Sequence, residues 1–205
     1  MIDSAALLVF IPTFFIVSIT PGMCMTLAMT LGMTVGIRKT LWMMAGELIG
    51  VTIVATAAVV GVASLMLNYP NVFVAIKWLG GAYLVYVGIN MYRAKGKMAI
   101  TGEQYTHIKN SALFYQGFIT AIANPKGWGF MISILPPFIN IDRDVTPQLL
   151  VLLAVIICSE FICMMVYASG GKSLRLFLNR GDNIKWINII AGSTMILVGF
   201  WLALS

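Results

Sequence analysis

Six apolar runs, residues 5–35, 41–67, 72–92, 113–139, 149–170 and 184–204, take up most of the chain. The hydrocarbon core of a bilayer is about 30 Å thick and needs about 20 apolar residues of helix to cross it. Each run is long enough. Only helices and closed barrels satisfy every backbone polar group in lipid, and these runs are continuous, without period-two alternation, so they read as helices. Composition agrees: 60% of the 205 residues are hydrophobic and 10% charged, against about 45–50% and about 25% in soluble domains. The expected fold is an all-α integral membrane protein of six transmembrane helices.

The first residues, Met1, Ile2, Asp3 and Ser4, lack a basic n-region, and the apolar run behind them is too long for a cleavable signal. It reads as a retained first span. The net charge of +6 would suggest nucleic acid in a soluble protein, but here it sorts by loop. Arg38 and Lys39 follow the first span; Arg93, Lys95, Lys97 and Lys109 follow the third; Lys172, Arg175, Arg180 and Lys185 follow the fifth. The turn at 68–71 is uncharged, and the 141–147 connection sets Arg143 between Asp142 and Asp144. The positive-inside rule then puts the odd-numbered loops in the cytoplasm and both termini on the periplasmic side. Lys77 and Lys185, each followed by Trp, fit snorkelling lysines beside interfacial indoles. His107 stands alone in the basic loop and takes no role.

The two halves resemble each other. "IKWLGGAYLVYVGINMY" (76–92) closes the first, and "IKWINIIAGSTMILVGFWLAL" (184–204) closes the second. Both start Ile-Lys-Trp. Both set a glycine seven residues before another, Gly81 with Gly88 and Gly192 with Gly199. Each half also has a proline inside its first run, Pro21 and Pro125, and an acid in its second, Glu47 and Glu160. Three spans per half put the copies in opposite orientations. The chain is therefore expected to be one transmembrane domain of two inverted three-helix repeats, about 1–92 and about 112–205, joined by a basic cytoplasmic loop at 93–111. Inverted repeats with helices broken at corresponding positions point to a secondary transporter and to its binding site.

Proline removes an amide hydrogen and clashes with the carbonyl four residues back, here Val17 for Pro21 and Ala121 for Pro125. As one straight helix the uncharged stretch 4–37 would be roughly 50 Å long, so the first and fourth spans are expected to break at Pro21 and Pro125. Gly22 permits the turn. At the second break, "ANPKGWG", Asn124 can cap the half-helix that follows. The positive end of that half-helix suits a carboxylate, and Lys126 adds a cation at a depth where lysine is costly and faces the bundle interior. Pro21, Gly22, Asn124, Pro125, Lys126 and Gly127 are the candidate substrate-binding positions. A purely structural kink is the competing reading.

Glu47 and Glu160 are the candidate proton-coupling residues, because burial disfavours a charged carboxylate and such a group can carry a proton or meet a cationic amine. A structural Glu160–Lys126 ion pair is the alternative. Met23, Cys24 and Met25 invite a soft-metal reading, but residues two apart on a helix face different ways and methionine is scattered through the chain, 14 in all. The three cysteines, Cys24, Cys158 and Cys163, lie in apolar segments and form no disulfide framework. No nucleophile–base pair or nucleotide loop suggests an enzyme, and no cofactor is expected.

Taken in order, "SITPG", "GIRKTLWMMAGELIG", "IKWLGGAYLVYVGI", "NPKG" with "LPPFI", and "AGSTMILVGFWLA" resemble the LysE/RhtB family of bacterial amino-acid exporters, the RhtB branch most. The resemblance covers nearly the whole chain. It implies a six-span inner-membrane exporter of amino acids driven by the proton motive force, with Glu160 at the position of the family's fifth-span acid. Two departures stand out: Met23 and Cys24 replace a frequent Pro-Asn after the Pro-Gly, and the second-span acid, Glu47, lies one turn before the usual position near Gly50 and Val51. The expected function is proton-coupled efflux of a neutral amino acid such as homoserine, threonine or a branched-chain residue. Two alternatives are a cation or soft-metal exporter using Met23, Cys24, Glu47 and Glu160, and a membrane scaffold self-assembling through Gly32/Gly36 and Gly46/Gly50.

Overall fold

A computed structural model describes residues 4–68, 70–93, 108–140, 142–179 and 183–204. Among these the chain is helical, with no strand. Helix α1 (Ser4–Ile19) and α2 (Met23–Thr34) form one rod bent by 55°. Then come α3 (Ile37–Asn68), α4 (Pro70–Arg93), α5 (Asn110–Ile122), α6 (Pro125–Ile134), a 3-10 turn at Pro136–Phe138, α7 (Val145–Asn179) and α8 (Asn183–Leu204). By length and composition Ile37–Gly61 and Val145–Gly171 can each cross a membrane, and the bent α1–α2 pair passes the same test as a broken span. The other three expected runs coincide with α4, α5–α6 and α8. Most of the basic 93–111 loop, His107 included, and the chain ends lie outside the described residues.

Several boundaries differ from the sequence expectation, each for a local reason. The fourth run was expected to stay helical to residue 139, but Pro136 and Pro137 lack amide hydrogens and tighten its end into the 3-10 turn. The fifth was expected to end at residue 170; α7 instead continues to Asn179 across a kink at Gly171, whose φ of 41° suits glycine. Gly36, at φ 81°, ends α2 with its amide on the Leu31 carbonyl at 3.2 Å and lets α3 begin at the next residue. Pro12 lies inside α1 without ending it.

Small residues set the helix packing. A Cβ at Gly46 would collide with the Phe114 carbonyl, and one at Gly117 with that of Met43, so α3 and α5 cross backbone to backbone. A Cβ at Gly32 would strike Ala168 of α7 in the same way. Helices α4 and α8 pair antiparallel: Gly88 abuts the Gly192 carbonyl, and Gly199 abuts that of Gly81.

Two apolar clusters fill the interior. One is aromatic and aliphatic, with Phe10 edge-on to Phe138 and Phe14 tilted against Phe130 at 5.6 Å between centroids. The other is rich in sulfur, with Met25, Met29, Met43, Met44, Cys163 and Met164 around Tyr167. Outside, Trp78, Leu79, Trp186, Leu197 and Phe200 are exposed. Extended apolar faces of this kind suit a chain whose solvent is lipid.

Candidate functional site

The first break follows from Pro21. Helix α1 stops at Ile19, Gly22 is extended (φ −139°, ψ −172°), and α2 starts at Met23. The carbonyls released at the end of α1 need partners if the break lies at membrane depth, and three have them. Thr20 Oγ1 donates to Ile16 O at 2.9 Å. The Thr20 amide donates to Val17 O at 3.2 Å, which satisfies the carbonyl that Pro21 displaces. Tyr167 OH, from α7, donates to Ile19 O at 2.8 Å. Sequence reasoning missed Tyr167; its one signal is that a tyrosine in an apolar helix usually finds a hydrogen-bond partner when buried.

The second break has the same logic with different parts. Pro125 occupies the first turn of α6, where its missing amide costs nothing. Asn124 caps that helix as expected, its Oδ1 accepting from the Lys126 amide at 3.1 Å. The Asn124 amide donates to Ala121 O at 3.3 Å, satisfying the carbonyl that Pro125 would displace. Trp128 Nε1 donates to Ile122 O at 2.8 Å. An indole thus does at the end of α5 what a phenol does at the end of α1.

Between the breaks lies a cavity of about 70 Å³. Gly22, Met23 and Cys24 line it from the first break, Asn124, Lys126 and Gly127 from the second, Glu47 from α3 and Glu160 from α7. Pro21 is not in the wall; it shapes the backbone beside it. Ser18 and Thr20, which carried no signal in sequence, are also in the wall. Phe14, Val17, Val54, Phe130 and Met131 supply the apolar part.

The charged groups act on one another across this space. Lys126 and Glu160 attract, while Glu47 and Glu160 repel. Ser18 Oγ donates to Glu160 Oε1 at 2.8 Å. Cys24 lines the cavity beside Glu47 and Asn124. Glu47 is 2% exposed, and its Oε2 has no hydrogen-bond partner. With two carboxylates and one ammonium, a fully ionised site carries one negative charge too many. Buried charge is stable only when paired, so the cavity has room in its chemistry for one more cation or one proton.

The soft-metal alternative gains nothing from this geometry. Among the described residues no three of His, Cys, Asp and Glu gather closely enough to hold a metal ion. Met23 is half exposed whereas Cys24 and Met25 are buried, and all three line the cavity. Cys24, Cys158 and Cys163 are all free thiols.

Comparison with known proteins gives the site a context. A profile of the LysE type translocator family matches residues 15–205. A homoserine/homoserine lactone efflux protein of Salmonella typhimurium is 27% identical over 188 residues, 92% of this chain and 91% of that protein. A leucine efflux protein of Salmonella choleraesuis is 31% identical over 105 residues, 49% of this chain and 48% of its own. A membrane protein of Vibrio cholerae is 27% identical over 196 residues, 96% of this chain and 95% of its own. No solved structure matches. The match to the profile spans both breaks and both buried acids, and the chain is a member of the LysE type translocator family, a transporter and not an enzyme.

Proposed function

We propose that this protein exports neutral amino acids from the cytoplasm, exchanging them for protons by alternating access. The observation that carries this reading is the convergence of two broken helices, one lysine and two carboxyls on a single cavity. A zwitterion needs both signs within a few ångströms, and here its carboxylate would meet Lys126 and the capped start of α6 near Gly127. Its ammonium, or the exchanged proton, would use Glu160 and Glu47. The side chain would lie against Phe14, Val54 and Phe130. Relatives named for homoserine and leucine efflux support a neutral substrate, either small and hydroxylated or branched.

In this reading the chain is one inner-membrane domain of six spans, with both termini periplasmic and the 93–111 loop cytoplasmic. The inverted-repeat arrangement is supported by the α4–α8 contact, where Gly88 on Gly192 and Gly199 on Gly81 are the same contact with the helices exchanged. Rocking of the two repeats would open the cavity to either side.

The test is efflux from proteoliposomes preloaded with labelled amino acids, with and without an imposed pH gradient. Gradient-dependent loss of one or a few neutral amino acids is the expected result. No loss of any amino acid by a correctly inserted protein would end the proposal.

A further inference from the structure

We infer that the two cavity carboxyls divide the work: Glu47 receives the substrate ammonium, positioned by Cys24, while Glu160 does not contact it. The inference rests on the amino-acid reading above and separates two acids to which the sequence assigned one role.

The two acids share a cavity but not an environment. Glu160 Oε1 accepts from Ser18 Oγ at 2.8 Å, and its charge faces that of Lys126. Glu47 is the more enclosed by exposed area, 2% against an intermediate value for Glu160, and its Oε2 has no partner. Buried acceptors are almost always paired, and leaving one unpaired is costly, more so for a charged group. An ammonium offers three donors and no acceptor, the complement of an orphaned carboxylate oxygen. A substrate carboxylate offers only acceptors and has no match at Glu47.

The arrangement suits an α-amino acid. Cys24 lines the same cavity as Glu47 and Asn124, and Asn124 in turn holds the Lys126 amide. The acid and the capped start of α6 therefore face one cavity, with the thiol in its wall. Lys126 Nζ lies 4.0 Å from where a Cβ on Gly22 would stand, which brings the lysine to the same break that carries Cys24. The departures of this chain from the family pattern at Met23-Cys24 and at Glu47 thereby fall on one cavity.

The test separates ammonium recognition from proton coupling by measuring exchange at equal pH on both sides of proteoliposomes. The probes are leucine and homoserine, each against its 2-hydroxy acid counterpart, which keeps the carboxylate and side chain but lacks the ammonium. Wild-type protein is expected to prefer the amino acid by about tenfold to a hundredfold, the range of one hydrogen bond to a charged group. Glu47→Gln should lose that preference. Glu160→Gln should retain it while losing gradient-driven efflux. Cys24→Ala should shrink the preference several-fold and Cys24→Ser should restore it, an outcome a merely structural thiol would not give. Should Glu47→Gln not fold, Glu47→Asp keeps the charge and should keep the preference with weaker binding; an Asp variant that loses it overturns the proposal. A preserved preference in Glu47→Gln, or a lost one in Glu160→Gln, also overturns it. Wild-type protein that exchanges neither amino acid refutes the parent reading as well, so the two failures are distinguishable.

Discussion

Ser18 and Glu160, 142 residues apart, are joined by a 2.8 Å hydrogen bond from Ser18 Oγ to Glu160 Oε1 beside the first helix break. The bond ties the last turn of α1 to the middle of α7. A hydrogen bond to a charged acceptor contributes about 1.5–3 kcal/mol, enough to hold the carboxyl in one place within the cavity. Ser18→Ala should therefore lower the initial rate of gradient-driven efflux by about tenfold or more, while the protein still folds. Ser18→Thr keeps the hydroxyl and should retain most of the rate. Equal rates in wild type and Ser18→Ala would remove Ser18 from the working site.

Tyr167 and Ile19 make a second such tie, through the phenol and a backbone carbonyl 2.8 Å away. Tyr167→Phe keeps the ring in its methionine-rich cluster and removes only the donor. The cost expected is about 1–2 kcal/mol, since an unpaired buried carbonyl is penalised while hydrogen bonds within membranes contribute modestly. Thermal unfolding in detergent should show a midpoint several degrees lower, at roughly 2–4 °C per kcal/mol for a chain of this size. An unchanged midpoint would mean that the Ile19 carbonyl finds another donor.

The positions of the breaks were legible in sequence because proline is a local instruction: it removes a donor wherever it stands. Asn124 was legible as a cap for the same reason. The partners were not. That Tyr167 serves the first break and Trp128 the second depends on how α7 packs and on a rotamer within α6. The meeting of Glu47 with Glu160 was also beyond sequence. They sit on α3 and α7, and their approach depends on helix crossings at which Gly46, Gly117 and Gly32 let backbones touch. Each glycine alone looks like one of 19 in the chain.

Those crossings give a prediction with a sign at each position. Gly46→Ala and Gly117→Ala put a methyl into the facing carbonyls of Phe114 and Met43, where backbone cannot yield cheaply. Both should lower the yield of folded protein and its thermal midpoint. Gly61, on the same helix, has nothing within 4 Å of its would-be Cβ, and alanine there gains up to about 1 kcal/mol of helix propensity. Gly61→Ala should be neutral or slightly stabilising. Equal behaviour of all three in a thermal-shift series would contradict the packing.

The α4–α8 contact tests the inverted arrangement directly. Gly88 rests on Gly192 and Gly199 on Gly81, each would-be Cβ 2.6–2.7 Å from the facing carbonyl, so cysteines at 88/192 and at 81/199 must push the helices slightly apart but should be the pairs that cross-link in a background lacking Cys24, Cys158 and Cys163. The seven-residue spacing within each helix is roughly 10 Å of rise, which puts the mismatched pairs 81/192 and 88/199 beyond the reach of a disulfide, whose Cα atoms lie at most about 7 Å apart. Antiparallel packing therefore predicts two cross-linked pairs and two that stay apart, read as mobility shifts on a non-reducing gel after proteolysis within the 93–111 loop. Parallel packing of the same helices would give the opposite pattern, with 81/192 and 88/199 linked. The same four variants also test the equivalence of the repeats, because an exchange of α4 with α8 turns one productive pair into the other. The two should form at similar rates, and a large difference would mean that the glycine spacing is shared by the halves without a shared environment.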